Sequence, residues 1–392
     1  MGIFHKRQSA LILILLLSGV TCNAAIIPFM AVYIVEGLGR EPWSISIYTS
    51  ITILAGVTAN RQFGRWIDKG TRIAPLVLAS LIAYVFANSA ILVFQSFWIL
   101  LGFASFCFGI SGAAVSSMYS FGRLFAEREK LNIQKYNSYL RTMTSIGWMI
   151  GPASSFLIAG QFGYEMVFIF AIGLSAIWAL LWLTCMPKDF AHVPKPDIGK
   201  DEIDSSKNRS LHYAAVACFC FALAHVLCTS ALPLFYIREA GLPTFAPGLS
   251  LSVKTSVEII GILSAPWLIV RYGAKQSLIG AGIIAIVSFV VLSQVSSLVH
   301  LIAGAALEGL YYGIFAGVGI TYMQSFAGGK MAGATSLYMN SLFLGGLVSA
   351  ASLGLVAQTF DFKTAILLSS IGAAAAILVL LKMPAATPEK VN

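Results

Sequence analysis

Residues Tyr136–Gly160 read YNSYLRTMTSIGWMIGPASSFLIAG. The run is long and apolar enough to cross a bilayer as a helix, which takes about 20 residues. It nevertheless carries Arg141 near its start and Trp148 near its middle. At 100° per residue, Arg141, Ser145, Trp148 and Pro152 share one face, and Gly147, Gly151 and Ser154 share another roughly 120° away. A helix that only anchors a chain in lipid needs neither a cation beside an aromatic plane nor a seam of small residues. The first face is therefore expected to line a polar substrate cavity, and the second to admit a neighbouring helix at close range.

The rest of the chain fits that reading. Of its 392 residues, 58% are hydrophobic and 10% charged, against about 25% charged in ordinary soluble domains. No water-soluble fold of this size hides so much apolar surface, so an all-α polytopic membrane protein in contact with the lipid bilayer is expected. The net charge of +9 does not point to nucleic acid, because the cations gather in short segments between apolar runs, as cytoplasmic loops do. The six cysteines all lie in apolar runs without a C-x-x-C pair, so neither a disulfide framework nor a metal site is indicated. No G-x-x-x-x-G-K-[ST], H-E-x-x-H or G-x-S-x-G occurs, and no cofactor or enzymatic activity is expected.

Twelve apolar runs are long enough to span. They begin with Leu11–Val35, Ser44–Phe63, Ile73–Phe94, Trp98–Gly122 and Tyr139–Gly160, and end with Thr364–Leu381. The first follows Lys6 and Arg7 without a small-residue cleavage site, and reads as a retained span. Between the sixth and seventh lies PKDFAHVPKPDIGKDEIDSSKNRS, too polar to bury a core. The organisation expected is a six-helix bundle over 1–186, a cytoplasmic linker over 187–211 and a second six-helix bundle over 212–392. Of the 25 Lys and Arg residues, an inside N-terminus puts all but five on the inner side. Arg40, Arg238 and Lys363 fall outside, and Arg141 and Lys254 fall within spans. Both termini are thus expected in the cytoplasm.

An internal repeat relates the two halves. Tyr33-Ile34-Val35-Glu36-Gly37-Leu38 ends the first span, and Tyr236-Ile237-Arg238-Glu239-Ala240-Gly241-Leu242 ends the seventh. The shared Tyr-Ile-x-Glu recurs 203 positions on, with one residue inserted before Gly-Leu. Parallel repeats of six spans are a transporter architecture.

After the second span, Gly64-Arg65-Trp66-Ile67-Asp68-Lys69-Gly70-Thr71-Arg72 resembles the G-x-x-x-D-x-G-x-R loop signature of the major facilitator superfamily. Asp68 is expected to accept hydrogen bonds from basic groups or a helix N-terminus and so latch the cytoplasmic side. Gly64 and Gly70 are expected to permit a tight turn. The second-half loop around Arg271, Gly273 and Lys275 has lost the acid. Gly147-x-x-x-Gly151-Pro152 resembles the fifth-span motif of superfamily antiporters, which that family associates with export. Plain small-residue packing explains the same spacing.

Arg141 and Trp148 resemble the Arg and Trp that bind the galactoside ring in the same helix of lactose permeases. A guanidinium can donate a fork of hydrogen bonds to vicinal hydroxyls, and an indole can stack on a pyranose. The alternative is an Arg141 that snorkels to the surface and a Trp148 that packs in the core. The partner acid of the permease does not carry over: Arg123 and Glu127 stand near its place.

Two acids lie deep in spans, Glu258 and Glu308. Intramembrane acids are costly and by default functional, so either is a candidate proton carrier. Lys254, four residues before Glu258, offers it a pair on one helix face. Glu308 has no basic neighbour within its own helical turns, and Tyr311 beside it could serve substrate or wall. Asn23, His225 and Asn340 are further cavity candidates, each equally explained by a helix-to-helix hydrogen bond.

The run from Tyr136 to Gly173 is similar to the sugar efflux transporter family, with its Arg, several small or polar residues, a Trp, and then Ile-Gly-Pro. That resemblance implies a monomeric, proton-driven exporter of mono- or disaccharides and glycosides in the bacterial inner membrane. Its two halves would rock about a central cavity. Export of drugs or siderophore-like metabolites, and sugar:proton symport, are the rival transport readings. A transporter-like receptor is the rival outside transport, and it would need no deep acids.

Overall fold

The computed structural model describes residues 3–131, 133–187, 209–326 and 331–383. The expected linker lies almost wholly outside them. The chain forms two compact units, Met1–Ile198 and Gly199–Asn392. In lipid every backbone polar group must be satisfied within the chain, which the helix does segment by segment. The first unit holds α1 (Ile3–Ile26), α2 (Trp43–Asp68), α3 (Ile73–Phe94), α4 (Ser105–Arg128), α5 (Ile133–Phe162) and α6 (Tyr164–Cys185). The second holds α7 (Arg209–Leu234), α8 (Ala246–Tyr272), α9 (Ala274–Ser293), α10 (Leu298–Gln324), α11 (Met331–Thr359) and α12 (Phe362–Leu381). Among the described residues, ten of these segments are long and apolar enough to cross a membrane by length and composition. The other two are α2 and α5, whose runs are broken by polar residues such as Arg61 and Arg141.

The units repeat one another's packing. In the first, α1 packs on α5 and α6, α4 on α2 and α3, and α3 on α6. In the second, α7 packs on α11 and α12, α10 on α8 and α9, and α9 on α12. These are two pseudo-symmetric six-helix bundles.

The internal repeat is real, but its register differs from the lettering. Helix α1 continues through a short turn into a π-helical segment, Tyr33–Gly37, and α7 continues into Phe235–Glu239. The Leu38 N–H donates to the Tyr33 carbonyl at 2.8 Å, and the Ala240 N–H donates to Phe235 at 2.9 Å. Gly39 at φ +61° and Gly241 at φ +63° then turn the chain. Residue n therefore matches n + 202 without an insertion, one residue away from the Tyr-Ile-x-Glu letters. Backbone hydrogen bonds, not side-chain identity, set the equivalence.

The second unit uses Glu239 at the end of that segment to hold α12. Its carboxylate oxygens accept the N–H groups of Phe362 at 2.7 Å and Lys363 at 2.9 Å. Asp361 accepts the Thr364 N–H at 2.6 Å, so three of the free donors at this helix start are satisfied. Hydrogen bonding with Thr364 holds the Asp361 carboxyl below its ordinary range. Replacing Asp361 by Ala is expected to cost about 1 kcal/mol, the usual worth of such a cap. A depressed value means that the electrostatic part of this contribution is present above roughly pH 4 and is lost as pH falls further. Thermal unfolding of both forms in detergent, at neutral and strongly acid pH, checks this: the gap narrows in acid.

Helices outrun their apolar runs on the basic side. The α2 helix continues to Asp68 and α4 to Arg128, because hydropathy marks the bilayer edge and not the last hydrogen bond. This corrects the role of Gly64, which lies inside α2 and not in a turn. The turn is made by Gly70 at φ +88°, and Gly273 at φ +85° does the same after α8.

Candidate functional site

The two faces of α5 meet different surroundings. On one, a Cβ at Gly151 would stand 2.8 Å from the Ala25 nitrogen and the Thr21 carbonyl of α1. A Cβ at Gly147 would stand 2.6 Å from Val20 Cγ1. The small-residue seam is thus a close α1–α5 contact. It continues through buried Ser155 and not through Ser154, which is half-buried and bonds back to the Ile150 carbonyl at 2.9 Å. Close packing follows the i, i+4 row. The second unit repeats the contact where Gly345 meets Phe219 and Ala222 of α7, and Ser349 donates to the Leu223 carbonyl at 2.7 Å.

On the other face Arg141 is exposed within its unit, Ser145 and Trp148 are half-buried, and Pro152 is buried. The expected cavity face therefore closes at Pro152. Having no N–H, Pro152 also leaves the Trp148 carbonyl without its helical bond. Helix α4 adds a polar group that the α5 periodicity did not reveal. Tyr119 of α4 bonds Thr144 at 2.8 Å and lies within electrostatic reach of Arg141. Ser116 of α4 donates to Asn60 Oδ1 of α2 at 2.5 Å. Arg123 and Glu127 pair with each other at 3.1 Å, an exposed pair worth little. Asp68 and Arg72 are exposed, and within its own unit Asp68 makes no ion pair among the described residues.

Asn23 is committed to structure. Its Nδ2 donates to the Gly19 carbonyl and its Oδ1 accepts from Ser111 Oγ of α4, both at 3.0 Å. At the matching place in the second unit, His225 Nδ1 lies 3.0 Å from Tyr311 Oη of α10. One pair is neutral; the other is titratable.

That second pair belongs to a buried ionisable cluster drawn from three helices. Glu308 is 1% exposed, and its Oε1 lies 3.4 Å from His225 Nδ1. Lys254 Nζ lies 3.1 Å from Glu258 Oε2 and 4.6 Å from the Tyr312 ring centre. Tyr312 stacks on the His225 imidazole at 3.7 Å and 16°. The basic neighbour of Glu308 thus comes from another helix. The approach of Lys254 and α8 to this cluster depends on a glycine row in α10. Cβ atoms at Gly309 and Gly313 would stand 2.1 Å and 2.3 Å from the carbonyls of Lys254 and Glu258. The 309-313-317 spacing was the available signal. Asn340 sits on an exposed face of α11. No group of three or more potential metal ligands occurs among the described residues.

Two six-helix units with the same internal packing, polar and ionisable side chains buried inside apolar helices, and spans throughout define a polytopic membrane transporter. The chain belongs to the Major Facilitator Superfamily, whose family model matches residues 11–293. It is similar to a putative sugar efflux transporter of Deinococcus radiodurans, with 26% identity over 87% of this chain and 89% of that protein. It is also similar to sugar efflux transporter A of Escherichia coli K12, with 21% identity and 90% of each chain covered. Sugar efflux transporter B of Salmonella typhimurium is 23% identical over 92% of this chain and 91% of its own length. Among solved structures, a mutant of the nucleoside transporter NupG superposes with a TM-score of 0.78 at 16% identity, covering 95% of this chain and 99% of that one. A bacterial homologue of the iron transporter ferroportin in its inward-facing state gives 0.70 at 17% identity, covering 97% and 99%.

Proposed function

We propose that this protein exports sugars or glycosides from the cell by alternating access, driven by protons moving inward, with both termini in the cytoplasm. The observation that carries the reading is that relatives matched along about nine-tenths of their length are named sugar efflux transporters. The α5 face is chemically suited to such cargo. Arg141 offers forked donors to hydroxyls, half-buried Trp148 offers a ring plane, and Ser145 lies between them. The charged cluster of the second unit is suited to carry the proton, with Glu308 as carrier and Lys254 and Glu258 largely neutralising each other. Asp68, Gly70 and Arg72 would gate the inner side, and the Gly147–Gly151–Pro152 segment would set how α5 moves with α1.

The test is efflux from loaded cells, or uptake into inverted vesicles, comparing labelled sugars with hydrophobic drugs under an imposed pH gradient. Sugar movement that responds to the gradient supports the reading; drug movement alone overturns it. Within that assay, Trp148→Ala is expected to weaken sugar affinity about tenfold, which corresponds to losing about 1.4 kcal/mol of contact with the indole face. Unchanged affinity in a binding titration places the sugar elsewhere.

A further inference from the structure

We propose that His225 is a proton-coupling residue, sharing one proton with Glu308, and not a sugar ligand. This rests on Glu308 as the proton carrier and names the second basic group of that site. Three observations carry it. First, Glu308 Oε1 is buried without a hydrogen-bond partner among the described residues, yet His225 Nδ1 is 3.4 Å away. A buried carboxylate oxygen left bare is costly, and a proton between these two atoms removes the cost. Second, Tyr312 covers a face of the imidazole at 3.7 Å and Tyr311 engages its Nδ1 edge at 3.0 Å, which leaves that face and that edge unavailable to a sugar. Third, the matching position in the first unit holds Asn23 on Ser111, a pair that can hydrogen-bond but cannot take up a proton near neutral pH. The same scaffold position has been given titratable chemistry in one unit only.

Charge accounting sets which state is which. Lys254 and Glu258 form an ion pair at 3.1 Å and contribute no net charge. A Glu308 carboxylate beside a neutral imidazole then leaves the cluster with one buried negative charge. One added proton makes it neutral, either as carboxylic acid with imidazole or as carboxylate with imidazolium. In the unloaded form, with its proton on Nε2, the imidazole accepts the Tyr311 hydroxyl at Nδ1. In the loaded form Nδ1–H donates to Glu308 Oε1. The proton moves between two atoms of the same pair, and no other group changes charge. The groups facing this pair are Lys254 and Glu258 from α8, Tyr311 and Tyr312 from α10, Cys228 on α7 itself, and Tyr236 on the segment that continues α7. The remaining helices packed on α7 bring little: α11 carries Tyr338 and α12 carries Lys363 as their titratable side chains.

The full-length protein in liposomes tests this with His225→Asn, which copies the residue of the matching position, and with Glu308→Gln alongside. Sugar exchange without a gradient needs no net proton movement and is expected to survive in His225→Asn. Removing one of two proton positions lowers proton affinity, so the midpoint of the pH profile of gradient-driven efflux is expected to move to lower pH, by about one unit for a tenfold loss. Tyr311→Phe removes the bond that holds Nδ1 unprotonated and is expected to move the midpoint the other way; it serves as the second variant if His225→Asn does not fold. A wild-type pH profile in the folded His225→Asn protein, with Glu308→Gln inactive, overturns the role of His225 and leaves Glu308 as carrier. Weakened sugar exchange with an unmoved profile also overturns it. Active efflux by Glu308→Gln overturns the carrier reading itself.

Discussion

Glu308→Gln is expected to abolish uphill export while leaving sugar binding and exchange in place. Gln keeps the size of the side chain but holds no exchangeable charge, so the buried cluster can no longer alternate between a proton-loaded and an unloaded form. If one proton moves inward per sugar, each unit of pH gradient supplies about 1.4 kcal/mol, enough for about a tenfold sugar gradient. In the variant that tenfold gradient should collapse to equal concentrations, read as labelled sugar across the membrane of reconstituted vesicles. A variant that sustains the wild-type gradient contradicts the assignment. The prediction is sharp because Glu308 is almost fully buried and Glu258 already has a cation at 3.1 Å. Glu258 is therefore poorly placed to substitute for it.

The second large effect falls on a residue with no charge. Gly309→Leu is expected to destabilise the second unit by about 3 kcal/mol, at the upper end of what overpacking costs. The obstacle is backbone: a Cβ at 309 would stand 2.1 Å from the Lys254 carbonyl, and a carbonyl in a helix cannot rotate away as a side chain can. Helices α8 and α10 must separate, which also parts Lys254 and Tyr312 from one another. Gly64→Ala is the contrasting change, since a Cβ there meets nothing within 4 Å among the described residues and Ala is favoured over Gly in a helix interior by about 1 kcal/mol. Thermal unfolding in detergent should show a large loss for the first and none for the second. Equal stability of Gly309→Leu and the unaltered protein would refute the close α8–α10 contact.

Much of the geometry of the candidate α5 face was readable because it is local. The positions of Arg141, Ser145, Trp148, Gly147 and Gly151 relative to one another follow from helix geometry alone, and the structure keeps them on two faces. What periodicity could not supply was the depth of each face. Pro152 shares the angular sector of Trp148 yet is buried, and the seam runs on through Ser155. Tyr119 was missed because it reaches Thr144 from α4, and nothing in the α5 sequence refers to it.

The same division holds for the whole chain. Sequence by itself determined that the protein is helical, polytopic and built in two related halves, because apolar length and charge placement report directly on a chain's fit to a bilayer. Only the tertiary structure decided that Asn23 binds Ser111, that His225 stands beside Glu308 and Tyr311, and that the halves match at n + 202. The first two depend on which helix faces dock across more than 80 residues of chain, and the third on local backbone hydrogen bonds. Each helix advertises a face through its own periodicity, but the partner of that face is chosen by packing, where glycines at 309 and 313 let two backbones come close enough to bring distant charges together.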